Sequence, residues 1–200
     1  MLIVAALNIE IAPLVNALKA KKIKAYSNKT PLFRSNDHDI LVVGVGPSMA
    51  ERTLLAYMEE NTPDYILNAG TAGKMVEELE IGKVYHVDSV MTDNEPEIEL
   101  QALLDSKGEK CLSLRRALND NVQRDRSTEE FGTSLADMEC YTIAKIAKDK
   151  NIPMSAVKVV SDFADCETRE MFQEHIDAVS KTLCEELSVI LDAHASGSKN

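Results

Sequence analysis

The sequence lacks the features that mark membrane proteins and nucleic-acid-binding proteins. It has no tryptophan and only 4% aromatic residues, and 33 acidic residues outnumber 22 basic ones, for a formal net charge of -11. A surface of this charge repels phosphate backbones and anionic lipids, so neither nucleic acid nor a membrane is expected as a partner. No apolar run approaches the roughly 20 residues that a bilayer span needs. The apolar opening segment contains Glu10 and has no basic stretch before it, which argues against a secretory signal.

Cysteine and histidine are also scarce and scattered. The four cysteines form no CxxC pair, and the four histidines are equally dispersed. Spacing of this kind predicts reduced thiols in a cytoplasmic protein and not a disulfide framework. We therefore expect no metal site and no cofactor.

Length and composition predict one domain with a sizeable core. The chain has 200 residues, of which 44% are hydrophobic and 28% are charged, values that suit a single globular domain. The domain is expected over residues 1–192. The last residues, 193–200, are small and polar and predict a disordered tail.

Strand-like and helix-like segments alternate along most of the chain. Strands are predicted at 2–7, 38–46, 64–69, 82–91, 110–116, 132–138 and 153–161. Helices are predicted at 9–20, 47–60, 139–150 and 167–194. The stretch 92–110 is expected to be a loop with room for a short helix, and 120–131 a surface loop or helix. Because several strands are almost entirely apolar, the pattern predicts an α/β fold with a mixed, largely parallel central sheet flanked by helices.

Glycine-rich segments follow two of the predicted strands. The segment VVGVGPSMAE, 42–51, lacks the third glycine of a dinucleotide-binding motif, and Asp64 begins a strand where that motif needs an acid at a strand end. Either a tight strand-to-helix turn or close approach of a ligand to the backbone explains these glycines. The segment GTAG at 70–73 has the same two explanations, and we expect it to form a turn that closes the third strand.

Three acidic residues follow three different predicted strands. Glu10 and Asp162 could each serve only as a helix N-terminal acid or cap, whereas Glu139 lies in an apolar context that makes a carboxylate costly. Ligands of parallel sheets bind at the carboxyl ends of the strands, so the three acids are candidates for one site. Carboxylates without metal ligands suit proton transfer and stabilisation of a cationic transition state, as N-glycosidic cleavage requires. Asp137 is left open, since it could seat the turn or face away from the site.

From residue 1 to about 192, the sequence resembles the nucleoside phosphorylase/nucleosidase superfamily, and within it the methylthioadenosine/S-adenosylhomocysteine nucleosidases. The DME element, 137–139, and the SDFAD element, 161–165, are specific together. The supporting segments are AALNIEIAPL at 5–14, VVGVGPSMAE at 42–51, LNAGTAG at 67–73 and IGKVYHVDSV at 81–90. The compact chain looks more like a short branch that includes futalosine hydrolases and hopanoid-associated nucleoside phosphorylases. The resemblance implies the phosphorylase/hydrolase-like fold.

The resemblance also implies roles for the acids and their neighbours. Asp162 matches the general acid that protonates purine N7, and Ser161 matches a serine that helps to seat the base. Glu139 matches the glutamate that binds the ribose hydroxyls and stabilises the cationic sugar, and Met138 the methionine beside the ribose. Glu10 matches the glutamate that orients or deprotonates the attacking water.

Four further positions match residues that contact the sugar and its 5′ group in the family. Thr71 and Gly73 match positions at the sugar and water end of the site. Val45 matches the apolar residue that faces the 5′ substituent, and Phe172 an aromatic that covers it.

Departures from the family pattern bear on the reaction. Asn68 stands where phosphorolytic relatives have a phosphate-binding arginine, and Lys158 replaces the arginine that nucleosidases usually have near the water. The segment 111–120 offers no base-stacking aromatic, and the segment 91–110 is shortened. We therefore expect hydrolysis of a 5′-substituted adenosine to free base and sugar. The resemblance also implies a homodimer. The alternatives are phosphorolysis, a bulkier nucleoside of futalosine or adenosylhopane type, and a nucleoside-binding protein without turnover.

Overall fold

The computed structural model describes residues 1–103 and 108–197. Its strands are β1 Leu2–Ala5, β2 Lys21–Ala25, β3 Pro31–Arg34, β4 Asp39–Val42, β5 Ile66–Lys74, β6 Val84–Thr92, β7 Glu95–Glu99, β8 Glu109–Ser113, β9 Leu135–Asp137 and β10 Met154–Asp162. Its helices are α1 Asn8–Ala17, α2 Pro47–Met58, α3 Asn121–Phe131, α4 Cys140–Asp149 and α5 Thr168–Gly197. The alternation of strands and helices is that of an α/β fold.

The strands form one mixed sheet with a parallel centre. β4, β1, β5 and β10 run parallel side by side, with Val4 opposite Asn68 and Gly70 opposite Lys158. The sheet then closes on itself, because β10 also pairs with β6, β6 with β8, β8 with β9, and β9 with β5. β2 and β3 extend the other edge in antiparallel fashion. The predicted α/β fold with a mixed sheet is confirmed.

Helices cover both faces of the parallel centre. On one face, Leu67 and Ala69 of β5 belong to a buried cluster with residues of α1 and α5. On the other face, Ile66 and Ala72 belong to a cluster with residues of α2 and α4. Because both faces are covered, these strands are apolar without alternation, which is the pattern that predicts them in the sequence.

Two parts of the sheet differ from the sequence-based expectation. β2 and β3 lie in a segment for which no element was predicted, and every residue of β2 is exposed. A lysine-rich strand is stable there because it forms the outer edge, where charge discourages pairing with other chains. β7 lies in the segment expected to be a loop or short helix, so that expectation is wrong there. It pairs with β6 as a hairpin in which Ile98 is the buried residue.

The GTAG segment is part of a strand, which corrects the prediction of a turn. β5 continues through residues 70–73 to Lys74, and neither Gly70 nor Gly73 has a positive φ. A Cβ atom on Gly73 would lie 2.7 Å from Asp162 Oδ1 and 2.8 Å from Ala164 Cβ. Glycine is therefore required here because neighbouring groups approach the backbone, not because the chain turns.

Helix α5 continues further than the predicted helix and ends at Gly197. The predicted tail thus begins inside this helix, and residues 198–200 lie outside the described part of the chain. None of the helices described in residues 1–103 and 108–197 has the length and apolar character needed to span a membrane.

Candidate active site

A cavity of about 390 Å³ lies where β1, β5, β9 and β10 end, and it opens to solvent. This volume is in the usual range of small-molecule sites. The ten candidate catalytic and substrate-binding residues all line it: Glu10, Val45, Thr71, Gly73, Met138, Glu139, Lys158, Ser161, Asp162 and Phe172. The fold thus brings together residues that are up to 162 positions apart in the chain, while their individual roles stay predictions.

Glu10 lies in the first turn of α1 and is only 3% exposed. Its Oε2 accepts a hydrogen bond from the backbone N–H of Leu7 at 2.7 Å, as a helix N-terminal acid would. Its Oε1 accepts from the backbone N–H of Thr71 at 2.9 Å and from the Thr71 hydroxyl at 2.6 Å. The carboxylate therefore caps the helix and is also oriented by β5, so the two explanations considered for Glu10 are compatible.

Glu139 is the residue that precedes α4, and it is 7% exposed. The backbone N–H of Gly46 donates to its Oε1 at 2.5 Å. Gly46 has φ 88° and ψ 159°, a conformation open essentially to glycine alone, so this glycine is needed for the turn that presents its N–H. Burial, and secondarily the negative charge of Asp137, raises the pKa of Glu139 to about 8. A carboxyl group with so raised a pKa is costly to keep ionised in this buried position.

Glu139→Gln is expected to stabilise the folded protein at alkaline pH. The folded-state pKa of about 8 lies above the ordinary value of 4.5, so the native protein loses stability as the pH rises from the lower value through the higher one. Glutamine is neutral at every pH and can still accept the hydrogen bond from Gly46. Thermal denaturation of both proteins should show a gain in Tm for the variant that is larger at pH 8.5 than at pH 5. An equal difference at both pH values would contradict the raised pKa.

Asp162 ends β10 and is 5% exposed. Its Oδ1 accepts from the backbone N–H of Ala164 at 2.9 Å and from the Thr168 hydroxyl at 3.0 Å. Its Oδ2 accepts from the Ser161 hydroxyl at 2.6 Å. These donors, and the close approach to Gly73, fix the direction in which the carboxyl group faces the cavity.

The structure resolves the open question about Asp137, which both seats the turn and lines the cavity. Its Oδ2 accepts from the backbone N–H of Cys140 at 3.0 Å and from Lys158 Nζ at 2.6 Å, and its Oδ1 accepts from the Ser113 hydroxyl. Both side chains of the ion pair are almost completely buried. Although burial favours the neutral amine, Asp137 holds the pKa of Lys158 above its usual value, so Lys158 stays charged.

One part of the cavity wall is formed by residues that follow β8. Leu114, Arg116, Ala117 and Leu118 line the part of the wall formed by the segment that lacks the stacking aromatic. Among the described residues that line the cavity, Phe172 is the only aromatic one. Sequence reasoning missed Arg116 and Arg169, whose exposed side chains also line the cavity. The sequence marks their place in the site only by position: Arg116 follows the end of β8, and Arg169 follows the SDFAD element.

A family model and curated relatives match most of the chain. The family model described as the phosphorylase superfamily matches residues 1–110 and 110–193. The 5′-methylthioadenosine/S-adenosylhomocysteine nucleosidase of Buchnera aphidicola subsp. Acyrthosiphon pisum (strain Tuc7) is 26% identical over 206 residues, covering 86% of this chain and 87% of that protein. The enzyme of the same name from Staphylococcus epidermidis is 20% identical over 211 residues, with 90% of each chain covered.

Solved structures show the same fold. The Helicobacter pylori 5′-methylthioadenosine/S-adenosylhomocysteine nucleosidase with butyl-thio-DADMe-Immucillin-A superposes with a TM-score of 0.86 at 16% identity, covering 96% of this chain and 97% of that one. The native futalosine hydrolase of Helicobacter pylori superposes with a TM-score of 0.85 at 18% identity and the same coverage. At these identities the likeness concerns the fold.

Proposed function

This chain belongs to the phosphorylase superfamily, and we propose that it is a nucleosidase that hydrolyses the N-glycosidic bond of a 5′-substituted adenosine to free base and sugar. The observation that carries the proposal is the arrangement of Glu10, Glu139 and Asp162 around one cavity, each held by its own set of donors. The homologous nucleosidases of Buchnera and Staphylococcus support the same reaction class. A site that only binds a nucleoside has little need for three oriented carboxyl groups.

Asp162 is the general acid in this proposal. Its protonated form donates to N7 of the purine, so the base accepts the electron pair of the breaking C1′–N9 bond as a neutral leaving group. The donors that fix both carboxyl oxygens, Ala164 N–H, Thr168 and Ser161, hold the group in one orientation. Orientation of this kind lowers the entropy cost of reaching the transition state.

Glu139 binds the ribose hydroxyls and stabilises the cationic sugar. The cavity wall carries four acidic side chains, Glu10, Asp137, Glu139 and Asp162. Among the described lining residues, Lys158 is the buried cation, and its charge is neutralised by the ion pair with Asp137. Glu10, and Glu139 in its ionised form, favour the positive charge that develops on the sugar as the glycosidic bond breaks. The developing cation in turn favours ionisation of Glu139, whose pKa burial raises in the free protein.

Glu10 orients the attacking water and removes its proton. Its Oε1 accepts from both donors of Thr71. Among the described residues, Oε2 accepts only from Leu7 N–H, so it keeps acceptor capacity. The water oxygen then bonds to C1′ on the face opposite the leaving base.

The residues at the sugar end favour an apolar 5′ group. Val45, Met138 and Phe172 line this part of the cavity, and Val45 is 49% exposed. A thioether substituent is compatible with such a surface, since it is apolar and polarisable. Because Val45 is exposed, a longer 5′ substituent can extend from the cavity into solvent. The assay below compares substrates with 5′ groups of different size.

The proposal is tested by measuring adenine release from methylthioadenosine, S-adenosylhomocysteine and adenosine in phosphate-free buffer and with added phosphate. We expect release from the first two without phosphate, and slower release from adenosine because it lacks the 5′ substituent. Release that requires phosphate would make the protein a phosphorylase. Release from none of them, but hypoxanthine release from futalosine, would move the substrate to a bulkier nucleoside. Binding without release from any would leave a nucleoside-binding protein.

A homodimer and a cytoplasmic location also stay proposals. An exposed Val45 beside the cavity suits a site that a second copy completes, and light scattering of the purified protein would test this. The four cysteines carry free thiols, and Cys111 and Cys140 are buried, which suits a reducing compartment.

A further inference from the structure

Asn68 is a buried polar residue of the cavity wall to which the proposed reaction assigns no role. It lies in the middle of β5, is 2% exposed and lines the cavity. Its Nδ2 donates to the carbonyl oxygen of Val4 in β1 at 3.0 Å. Among the described residues, no donor reaches its Oδ1. A buried acceptor of this kind is costly unless a ligand or a solvent molecule supplies the donor.

The orientation of the Asn68 side chain follows from its partner. The carbonyl of Val4 can only accept a hydrogen bond, so the NH₂ end of the carboxamide must face it. If the group were turned over, two oxygen atoms would face each other and both would lack a donor. Oδ1 is therefore the atom turned away from the Val4 carbonyl, on a residue that lines the cavity.

Gly70 allows the Glu10 carboxylate to approach the strand that carries Asn68. Asn68 and Gly70 present the same face of β5, because successive residues of a strand alternate. Across the sheet, Gly70 is paired with Lys158. A Cβ atom on Gly70 would lie 3.3 Å from Glu10 Oε1. The absence of a side chain at Gly70 thus lets the Glu10 carboxylate lie close to β5, and Asn68, Glu10 and Lys158 line the same cavity.

We propose that Asn68 positions the water that attacks C1′, an inference that rests on the hydrolytic function proposed above. The water donates one hydrogen to Glu10 and the other to Asn68 Oδ1, which leaves a lone pair directed at C1′. As the bond from water oxygen to C1′ forms and the C1′–N9 bond breaks, Glu10 takes the first proton and Asp162 gives one to the base. The second hydrogen stays on the new sugar hydroxyl, still bonded to Asn68.

The same arrangement selects water over phosphate. Glu10 and Asn68 both present acceptor oxygens to the nucleophile, and water brings two hydrogens that satisfy them. A phosphate dianion has one hydrogen and two negative charges. It can donate to only one of the two acceptor oxygens, and the carboxylate of Glu10 repels it. Asn68 is therefore a specificity-determining residue for the nucleophile as well as a positioning residue.

The test is the partition of products in water–methanol mixtures with methylthioadenosine as substrate. Methanol has one hydrogen to donate, which Glu10 takes, so its attack gains nothing from Asn68. Asn68→Leu, which keeps the side-chain volume without the acceptor, is expected to lower kcat for hydrolysis about 100-fold with KM within a few-fold. The ratio of methyl glycoside to free sugar is expected to rise about 10-fold or more over the native ratio, since methanol attack is spared.

Controls separate this role from a structural one. Only folded enzyme makes product, so the ratio does not depend on how much of the variant folds, and Asn68→Ala provides a second variant. Asn61→Leu is the matched control, because Asn61 Nδ2 also donates to a backbone carbonyl, that of Tyr57, outside the cavity. It should leave the ratio unchanged. If hydrolysis and methanolysis fall by the same factor in the Asn68 variants, the role of Asn68 is overturned. If the native protein releases no base, the proposed function itself fails.

Discussion

Replacing Asp162 with asparagine is expected to lower kcat for adenine release by roughly 10²–10⁴-fold, the usual contribution of general acid catalysis. The variant should keep the fold, because asparagine can still accept from Ala164 N–H and Thr168 through Oδ1 and can donate to the Ser161 hydroxyl through Nδ2. Nucleoside affinity should change little. The measurement is kcat and KM for methylthioadenosine, together with Tm, for native and variant protein.

Two controls make the result for Asp162 specific. Asp165→Asn changes a neighbouring acid that accepts from Glu167 N–H and lies outside the cavity lining, so activity should persist. A p-nitrophenyl glycoside of 5-methylthioribose is a second control, because its leaving group, p-nitrophenolate, is a stable anion that departs without protonation. The Asp162 variant should cleave it at close to the native rate. Native-like adenine release by Asp162→Asn would refute the assigned acid.

Replacing Glu10 with alanine is expected to abolish attack by water while nucleoside binding persists. Loss of a positioned general base again costs roughly 10²–10⁴-fold in kcat. The change also removes the acceptor for Leu7 N–H and for both donors of Thr71, so a lower Tm is expected as well. Binding of methylthioadenosine by calorimetry and adenine release by absorbance separate the two effects.

Azide distinguishes a catalytic loss from a structural one in the Glu10 variant. Azide is an anionic nucleophile that needs no base, and the alanine leaves room for it. Adenine release should therefore return with azide concentration, with a sugar azide as product. If nucleoside binding is lost and azide restores nothing, Glu10 is a structural residue of the α1 terminus.

The parts of the fold that could be predicted are those with strong local patterns. The largely apolar strands at the centre of the sheet, such as β1 and β10, are buried on both faces. They can be recognised from their amino-acid composition alone. Convergence of Glu10 and Asp162 follows from the sequence because carboxyl ends of parallel strands share one edge. Glu139 follows β9, which runs antiparallel to β5, so its place in the site depends on tertiary pairing. The structure places Glu10, Glu139 and Asp162 there.

Features that depend on tertiary contacts could not be predicted. β2 is a run of charged and exposed residues whose pairing with β3 alone makes it a strand. The glycines of GTAG predict a turn, because the neighbouring sequence does not show that Glu10 approaches Gly70 and that Asp162 approaches Gly73. The ion pair of Asp137 with Lys158 joins residues of two different strands. In each case the deciding partner is distant in sequence.

The central claim is that water, directed by Glu10 and assisted by Asp162, cleaves the glycosidic bond in this cavity. The most direct test is adenine release from methylthioadenosine in phosphate-free buffer by native protein, Asp162→Asn and Glu10→Ala, measured side by side. We predict turnover by the native protein and at least about 100-fold less by each variant. Absence of release from the native protein, or equal release by all three, would contradict the account.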